Sequence, residues 1–108
     1  LSLTSPAIIE EVVGRSVTIT YVTDVTDNVD AIFKIYYNDS RIAAGTKEVF
    51  EKTPPTPFGN RLRTSLQNQM EYSLLIDNLK YNDTGLFFAE IRIFDPNLKA
   101  NSTTKLII

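Results

Sequence analysis

The sequence predicts an all-β fold, a sandwich of two sheets, on three observations. Strand-forming residues dominate: 11 Ile, 7 Val and 12 Thr stand among the 108 residues, and their branched side chains are stiff and suit an extended backbone. Short segments alternate apolar and polar residues, with turn residues between them. No long window carries a clean 3.6-residue apolar period, so no long helix is expected.

The elements follow in order. Pro6 interrupts an edge strand that resumes at Ala7-Ile8-Ile9 and runs to Val13, because proline is tolerated at sheet edges. Ser16 to Tyr21 is the first full strand, with Val17, Ile19 and Tyr21 on one face and hydroxyl residues on the other. Asp24 to Asp30 is a loop. Ala31 to Tyr37 is a strand dense in Ile and aromatic residues, turned by Asn38-Asp39-Ser40. Arg41 to Ala44 and Lys47 to Phe50 are short strands. Thr53 to Gly59 contains three prolines and reads as a surface connection. Arg61 to Leu66 and Glu71 to Asp77 are strands joined at Gln67-Asn68-Gln69. Gly85 to Phe94 is the longest strand, Asp95-Pro96-Asn97 turns it, and Asn101 to Ile108 closes the chain. Eight or nine strands spaced by turns are the pattern of a β-sandwich.

Composition bounds the function. A chain of 108 residues, 43% apolar and 22% charged, is one domain, 1–108, with enough apolar surface for a core. Eleven basic and thirteen acidic residues give a net charge of −2, which argues against an overall basic footprint for nucleic acid. The sequence holds no Cys and no His. That removes thiolate nucleophiles, Ser-His-Asp triads, and zinc sites built on His or Cys. No run approaches the roughly 18 apolar residues of a spanning helix. No basic-then-apolar leader opens the chain, so any signal peptide is expected to have been removed.

Other candidate chemistries are set beside simpler explanations. Carboxylates such as Glu10-Glu11, or Asp27 with Asp30, have no partners grouped around them, so no catalytic residue, no cofactor and no enzymatic activity are expected. Asp24, Asp27 and Asp30 are spaced by three, not alternating as in a known calcium loop, and read as a polar turn with no metal. Pro54-Pro55-Thr56-Pro57 contains P-x-x-P but bridges two strands, so a stiff connection is expected. Asn38, Asn82 and Asn101 each begin an N-x-S/T sequon beside a turn or strand edge. Three such matches point to a glycoprotein on the secretory route.

Three stretches resemble the immunoglobulin superfamily. Gly14 to Tyr21 is similar to the B-strand pattern G-x-S-V-T-I-x-C, with Tyr21 at the cysteine position. Ser73-Leu74-Leu75-Ile76-Asp77-Asn78-Leu79, followed by Asp83-Thr84-Gly85-Leu86-Phe87-Phe88-Ala89, resembles S-L-x-I-x-x-L…D-x-G-x-Y-x-C. There Phe87 replaces the tyrosine-corner residue and Ala89 the second cysteine. Thr104 to Ile108 is similar to the closing G strand of variable-type domains. The resemblance implies a V-type sandwich of two antiparallel sheets with no inter-sheet disulfide. A large Tyr21 against a small Ala89 roughly conserves the volume between the sheets, and the Tyr21 hydroxyl then needs a partner or a sheet end. Phe33, or failing it Ile35, takes the missing tryptophan's slot. The family's arginine–aspartate pair implies Asp83 with Arg61 or Arg63. Arg63 is preferred because Arg63-Thr64-Ser65-Leu66 resembles the family's R-x-S-L.

The resemblance also orients the surface. If Phe87, Ala89, Ile91 and Ile93 point inward, Phe88, Glu90, Arg92 and Phe94 point outward. Phe33 inward likewise turns Ile32, Lys34 and Tyr36 outward. Strands C and F are neighbours in this family, so these seven residues share the front, C–F–G, sheet, with Asn82 away from that face and Asn101 beside it. Aromatic residues with charges of both signs suit a protein contact, and Glu90 with Arg92 can meet Arg92 and Glu90 across a two-fold axis.

Disulfide-free V-type domains occur in the allorecognition receptors of colonial hydroids and in SLAM-family adhesion receptors. Phe88 to Asp95 resembles the F–G hairpin of both, with the hydroid receptors preferred. The resemblance implies a membrane-distal module of a longer receptor, on the extracellular side of the plasma membrane. Its partner would be the same domain on an opposing cell, bound homophilically in self/non-self recognition. The net charge and the lack of a long apolar run add the expectation of no nucleic-acid partner and no membrane insertion by this domain. A heterophilic receptor or viral decoy domain, and a structural spacer, are the alternatives.

Overall fold

The computed structural model describes residues 1–26 and 28–108. Among these, ten strands form: β1 Leu3–Thr4, β2 Ile8–Glu10, β3 Val17–Thr23, β4 Ala31–Tyr37, β5 Ser40–Gly45, β6 Phe50–Lys52, β7 Leu62–Gln67, β8 Glu71–Ile76, β9 Gly85–Phe94 and β10 Asn97–Ile107. One sheet has the order β1-β3-β8-β7 and the other β2-β10-β9-β4-β5-β6. The β5 and β6 additions at the edge of the six-stranded front sheet are the variable-type arrangement of an immunoglobulin-like sandwich.

Alternation drives this architecture. Val17, Ile19, Tyr21 and Thr23 are buried along β3, and Phe87, Ala89, Ile91 and Ile93 along β9. Each strand thereby turns one side to the other sheet. Asn38 and Asp39 take positive φ (46° and 72°) in the two-residue turn between β4 and β5, a conformation these side chains tolerate. Between Ile35 and Tyr36 the β4–β5 register shifts, and Ile42 and Ala43 are both buried, as at a bulge.

Aromatic packing stands where a disulfide and tryptophan would. Phe33 is fully buried and stacks on Tyr72, with centroids 4.0 Å apart and planes 11° apart. The Tyr21 and Phe50 rings meet it edge-on. Tyr21 crosses the inter-sheet space and its hydroxyl donates to the Phe87 carbonyl at 3.1 Å, two residues before the fully buried Ala89. Ile35 lies opposite Ala89 on the neighbouring strand, so Phe33 is the residue packed against Tyr21. The Tyr72 hydroxyl donates to the Thr46 carbonyl at 2.7 Å, and burial pushes its pKa up to about 12. Burial of each such side chain contributes about 1.5–3 kcal/mol.

Several expectations are corrected. The front sheet is not wholly antiparallel, because β2 pairs parallel with β10. The first segment is divided between the sheets: β1 pairs with β3, Pro6 lies in the crossover, and the second piece ends at Glu10, not Val13. Pairing after the β5 turn begins at Gly45 opposite Phe50, so Lys47 belongs to the turn. Its ammonium reaches the Thr26 carbonyl. The closing strand starts at Asn97, because Asp95 and Pro96 alone make the turn and Asn97 already pairs with Phe94.

Arg61, not Arg63, pairs with Asp83. The 3-10 turn Gly59–Arg61 delivers Arg61 to the pole of the sandwich, over the Phe58 ring. Its Nη1 donates to Asp83 Oδ2 at 2.8 Å and its Nη2 to Oδ1 at 3.0 Å. Arg63 lies two residues further along β7, about 7 Å away. There it is solvated and meets Asp77 at 3.3 Å.

Candidate recognition surface

The outer face of the front sheet is built by register. Ile32, Arg92 and Lys99 form one cross-strand row over β4, β9 and β10. Lys34, Glu90 and Asn101 form the next, and Tyr36, Phe88 and Thr103 the third. Directly opposite side chains are about 5 Å apart at Cβ. All seven residues singled out from the sequence therefore lie on one surface. Ile32 and Phe94 are the most open, at 39% and 53% exposure, and the other five are half-buried.

Neighbours order several of these side chains. The Tyr36 and Phe88 rings are tilted together with centroids 6.2 Å apart. The Arg92 guanidinium lies 5.3 Å from the centre of the Phe94 ring, and its Nε donates to Asn97 Oδ1 at 3.1 Å. Such stacking pre-orders an arginine whose other donors stay open. Among the described residues, ion pairs form at Arg61–Asp83 and Arg63–Asp77 and nowhere on this face. Ile32, Lys34, Glu90, Arg92 and Phe94 line a shallow depression of about 80 Å³. A larger groove of about 490 Å³ adjoins it past Ile32 and Phe94, towards Thr46, Lys47 and Glu48.

The three sequons fall at two places. Asn38 and Asn82 are exposed at the pole where β9 begins. The Asn38 Oδ1 accepts from the Leu86 N–H at 3.0 Å, and its amide lies against Gly85. Asn101 is exposed and stands on the face itself, opposite Glu90, not merely beside it. Of the acidic loop, Asp24 Oδ1 accepts from the Ser2 N–H at 2.7 Å, and Asp27 lies outside the described residues.

Sequence reasoning missed Lys99 and Thr103, which complete the rows on β10. Their signal is the two-residue turn: once Phe94 opposes Asn97, every later pairing follows. It also missed Tyr37. Phe87 lacks the hydroxyl of the tyrosine corner, and Tyr37 on β4 supplies one. Its Oη lies 3.1 Å from the Asn82 carbonyl and 3.2 Å from that of Thr84. Burial raises this phenol's pKa, and the charge on Asp83 raises it further.

Fold and surface together define an all-β, immunoglobulin-like sandwich of variable-type topology. Among solved structures it is similar to that of murine CRIg, at 16% identity and a TM-score of 0.75, with 97% of this chain and 94% of that chain covered. At that identity the likeness is one of fold. With 1707 solved chains matching the fold, it does not select a partner. No family model matches the chain, and no curated protein matches it.

Proposed function

We propose that this chain is a recognition domain that docks through the outer face of its front sheet on a second copy of itself, displayed on an opposing cell. In this reading it is a glycosylated ectodomain module held outside the plasma membrane, and it works by reversible binding without chemistry. The observation that carries it is the mixed surface of Ile32, Lys34, Tyr36, Phe88, Glu90, Arg92 and Phe94. Ordered aromatics there surround charges of both signs that form no ion pair among the described residues. Acid and base alternate along β9 at Glu90 and Arg92, so a two-fold axis through the face can bring unlike charges together. Clustering many copies on a cell raises a weak contact to a firm one.

A heterophilic partner is the second reading, and one observation favours it. The first two rows hold Lys34, Arg92 and Lys99 against Glu90 alone, on a chain of net charge −2. This local cationic excess suits an acidic partner surface.

Bead aggregation tests the first reading. One colour of bead carries this domain at high density and a second colour carries an inert domain. Clusters of the first colour alone, lost with Arg92→Glu, are expected. Dispersed beads, or clustering unchanged in a folded Arg92→Glu variant, would remove the homophilic face.

A further inference from the structure

We infer that Asn101 is an N-glycosylation site whose sugar closes the front sheet, so that occupancy of this one sequon switches docking off. The inference rests on the proposed use of that sheet and adds its regulation. Asn101-Ser102-Thr103 is an unblocked sequon. The side chain is exposed, and no hydrogen bond to the described residues holds its amide.

The register makes the consequence unavoidable. Asn101 is directly opposite Glu90, which is directly opposite Lys34. Adjacent strands are about 4.8 Å apart, so the whole charged row lies within about 10 Å of the Asn101 amide. A partner touching Glu90 must enter the space that an N-linked sugar, a bulky and hydrated group, would occupy. The other two sequons stand at the pole, off the charged row. Asn38 sits in the turn two residues beyond Tyr36, at the far end of the face, and Asn82 lies in the 3-10 turn before β9.

A second observation gives the sugar a further reason to be there. β2 covers β10 only from Lys105 to Ile107. From Asn97 to Asn101 the outer edge of β10 has no strand beside it among the described residues, whereas Ser102 and Thr104 meet Ser5 and Pro6 of the crossover. An open edge invites pairing with other chains, and a sugar at Asn101 would mask it. Asn101 thus offers one form of the chain that is shielded and silent, and one that is bare and able to dock.

The test uses Asn38→Gln/Asn82→Gln protein made in a secreting eukaryotic cell, so that Asn101 is the sole sequon. Glycopeptide mass spectrometry measures occupancy, and lectin chromatography separates the occupied from the bare form. Both are scored for bead clustering, beside the occupied form trimmed enzymatically to one sugar. Occupied Asn101 with clustering lost, and regained on trimming, is the expected result. An unoccupied Asn101, or equal clustering of the occupied and bare forms, would overturn the inference.

A second readout does not depend on self-binding. Because the chain has no cysteine, Glu90→Cys and Thr18→Cys each give a single thiol, on the front and the opposite sheet. Maleimide-polymer labelling is expected to slow at position 90 in the occupied form and to be unchanged at position 18. Equal labelling of both forms at position 90 overturns the occlusion. Slowed labelling with no clustering by any form upholds the occlusion and removes the homophilic reading instead.

Discussion

The Arg61 guanidinium grips the Asp83 carboxylate through two hydrogen bonds of 2.8 and 3.0 Å. The same guanidinium donates to the Asp77 and Asn78 carbonyls, while the Lys80 N–H donates to Asp83 Oδ2 at 2.8 Å. One ion pair therefore joins the turn before β7, the end of β8 and the turn before β9. It closes one pole of the sandwich.

Removing either partner should be costly. Arg61→Ala or Asp83→Asn leaves a shielded charge or an unsatisfied group, and about 2–3 kcal/mol of stability should be lost, somewhat less than for a wholly buried pair. Arg63→Ala, at a solvated pair, should cost under about 1 kcal/mol. Urea unfolding of the three variants measures the contrast. Equal losses at Arg61 and Arg63 would contradict the assignment of the pair.

Acid should weaken the same pole. Burial pushes the Asp83 carboxyl up, but the Arg61 guanidinium and the Lys80 N–H outweigh it and hold the pKa below its ordinary 3.8. A depressed folded pKa stabilises the fold above the unfolded value, and that contribution is lost as pH falls through the folded one. Stability should therefore drop as pH falls below about 4. Asp83→Asn should flatten that part of the unfolding-versus-pH curve.

The borrowed tyrosine corner can be tested at a single oxygen. Tyr37→Phe removes the hydroxyl that reaches the Asn82 and Thr84 carbonyls while keeping the ring against Phe58 and Phe87. A loss of about 1 kcal/mol is expected, with hydrogen exchange quickening in the turn before β9. Unchanged stability and exchange would mean that the hydroxyl does nothing there.

Gly45 is required by close approach of the backbone. A Cβ at this position would lie 2.2 Å from the Val49 carbonyl oxygen and 2.8 Å from the Phe50 Cα. Gly45→Ala must spread the β5–β6 turn, at a cost of about 1–3 kcal/mol. Thermal unfolding would report it, and a neutral result would show that the turn yields without penalty.

Charge exchange would test the two-fold docking directly. Beads carrying Arg92→Glu should not cluster with one another, and neither should beads carrying Glu90→Arg, because like charges then oppose each other. Mixed beads of the two variants should cluster together. Failure of the mixture, with both variants folded, would leave a partner of different sequence or a structural spacer.

Much of this protein was already determined by its sequence. Apolar alternation along Val17–Tyr21, Ala31–Tyr37 and Gly85–Phe94 dictated which side of each strand enters the core. With a period of two, inward Phe87 and Ala89 leave no choice about Phe88 and Glu90. The absence of Cys and His removes thiolate and imidazole chemistry from this sequence. Tertiary structure alone decided the matters that depend on contacts between distant segments. Whether Arg61 or Arg63 reaches Asp83 turned on a short helical turn that carries one arginine to the pole. That Tyr37 replaces a missing corner hydroxyl, that the first strand changes sheets around Pro6, and that Asn101 lies across from Glu90 depend on how strands meet. The physical reason is one of range: side-chain direction along a strand is a local steric property written in neighbouring residues, whereas pairing between strands is settled by the packing of the whole chain.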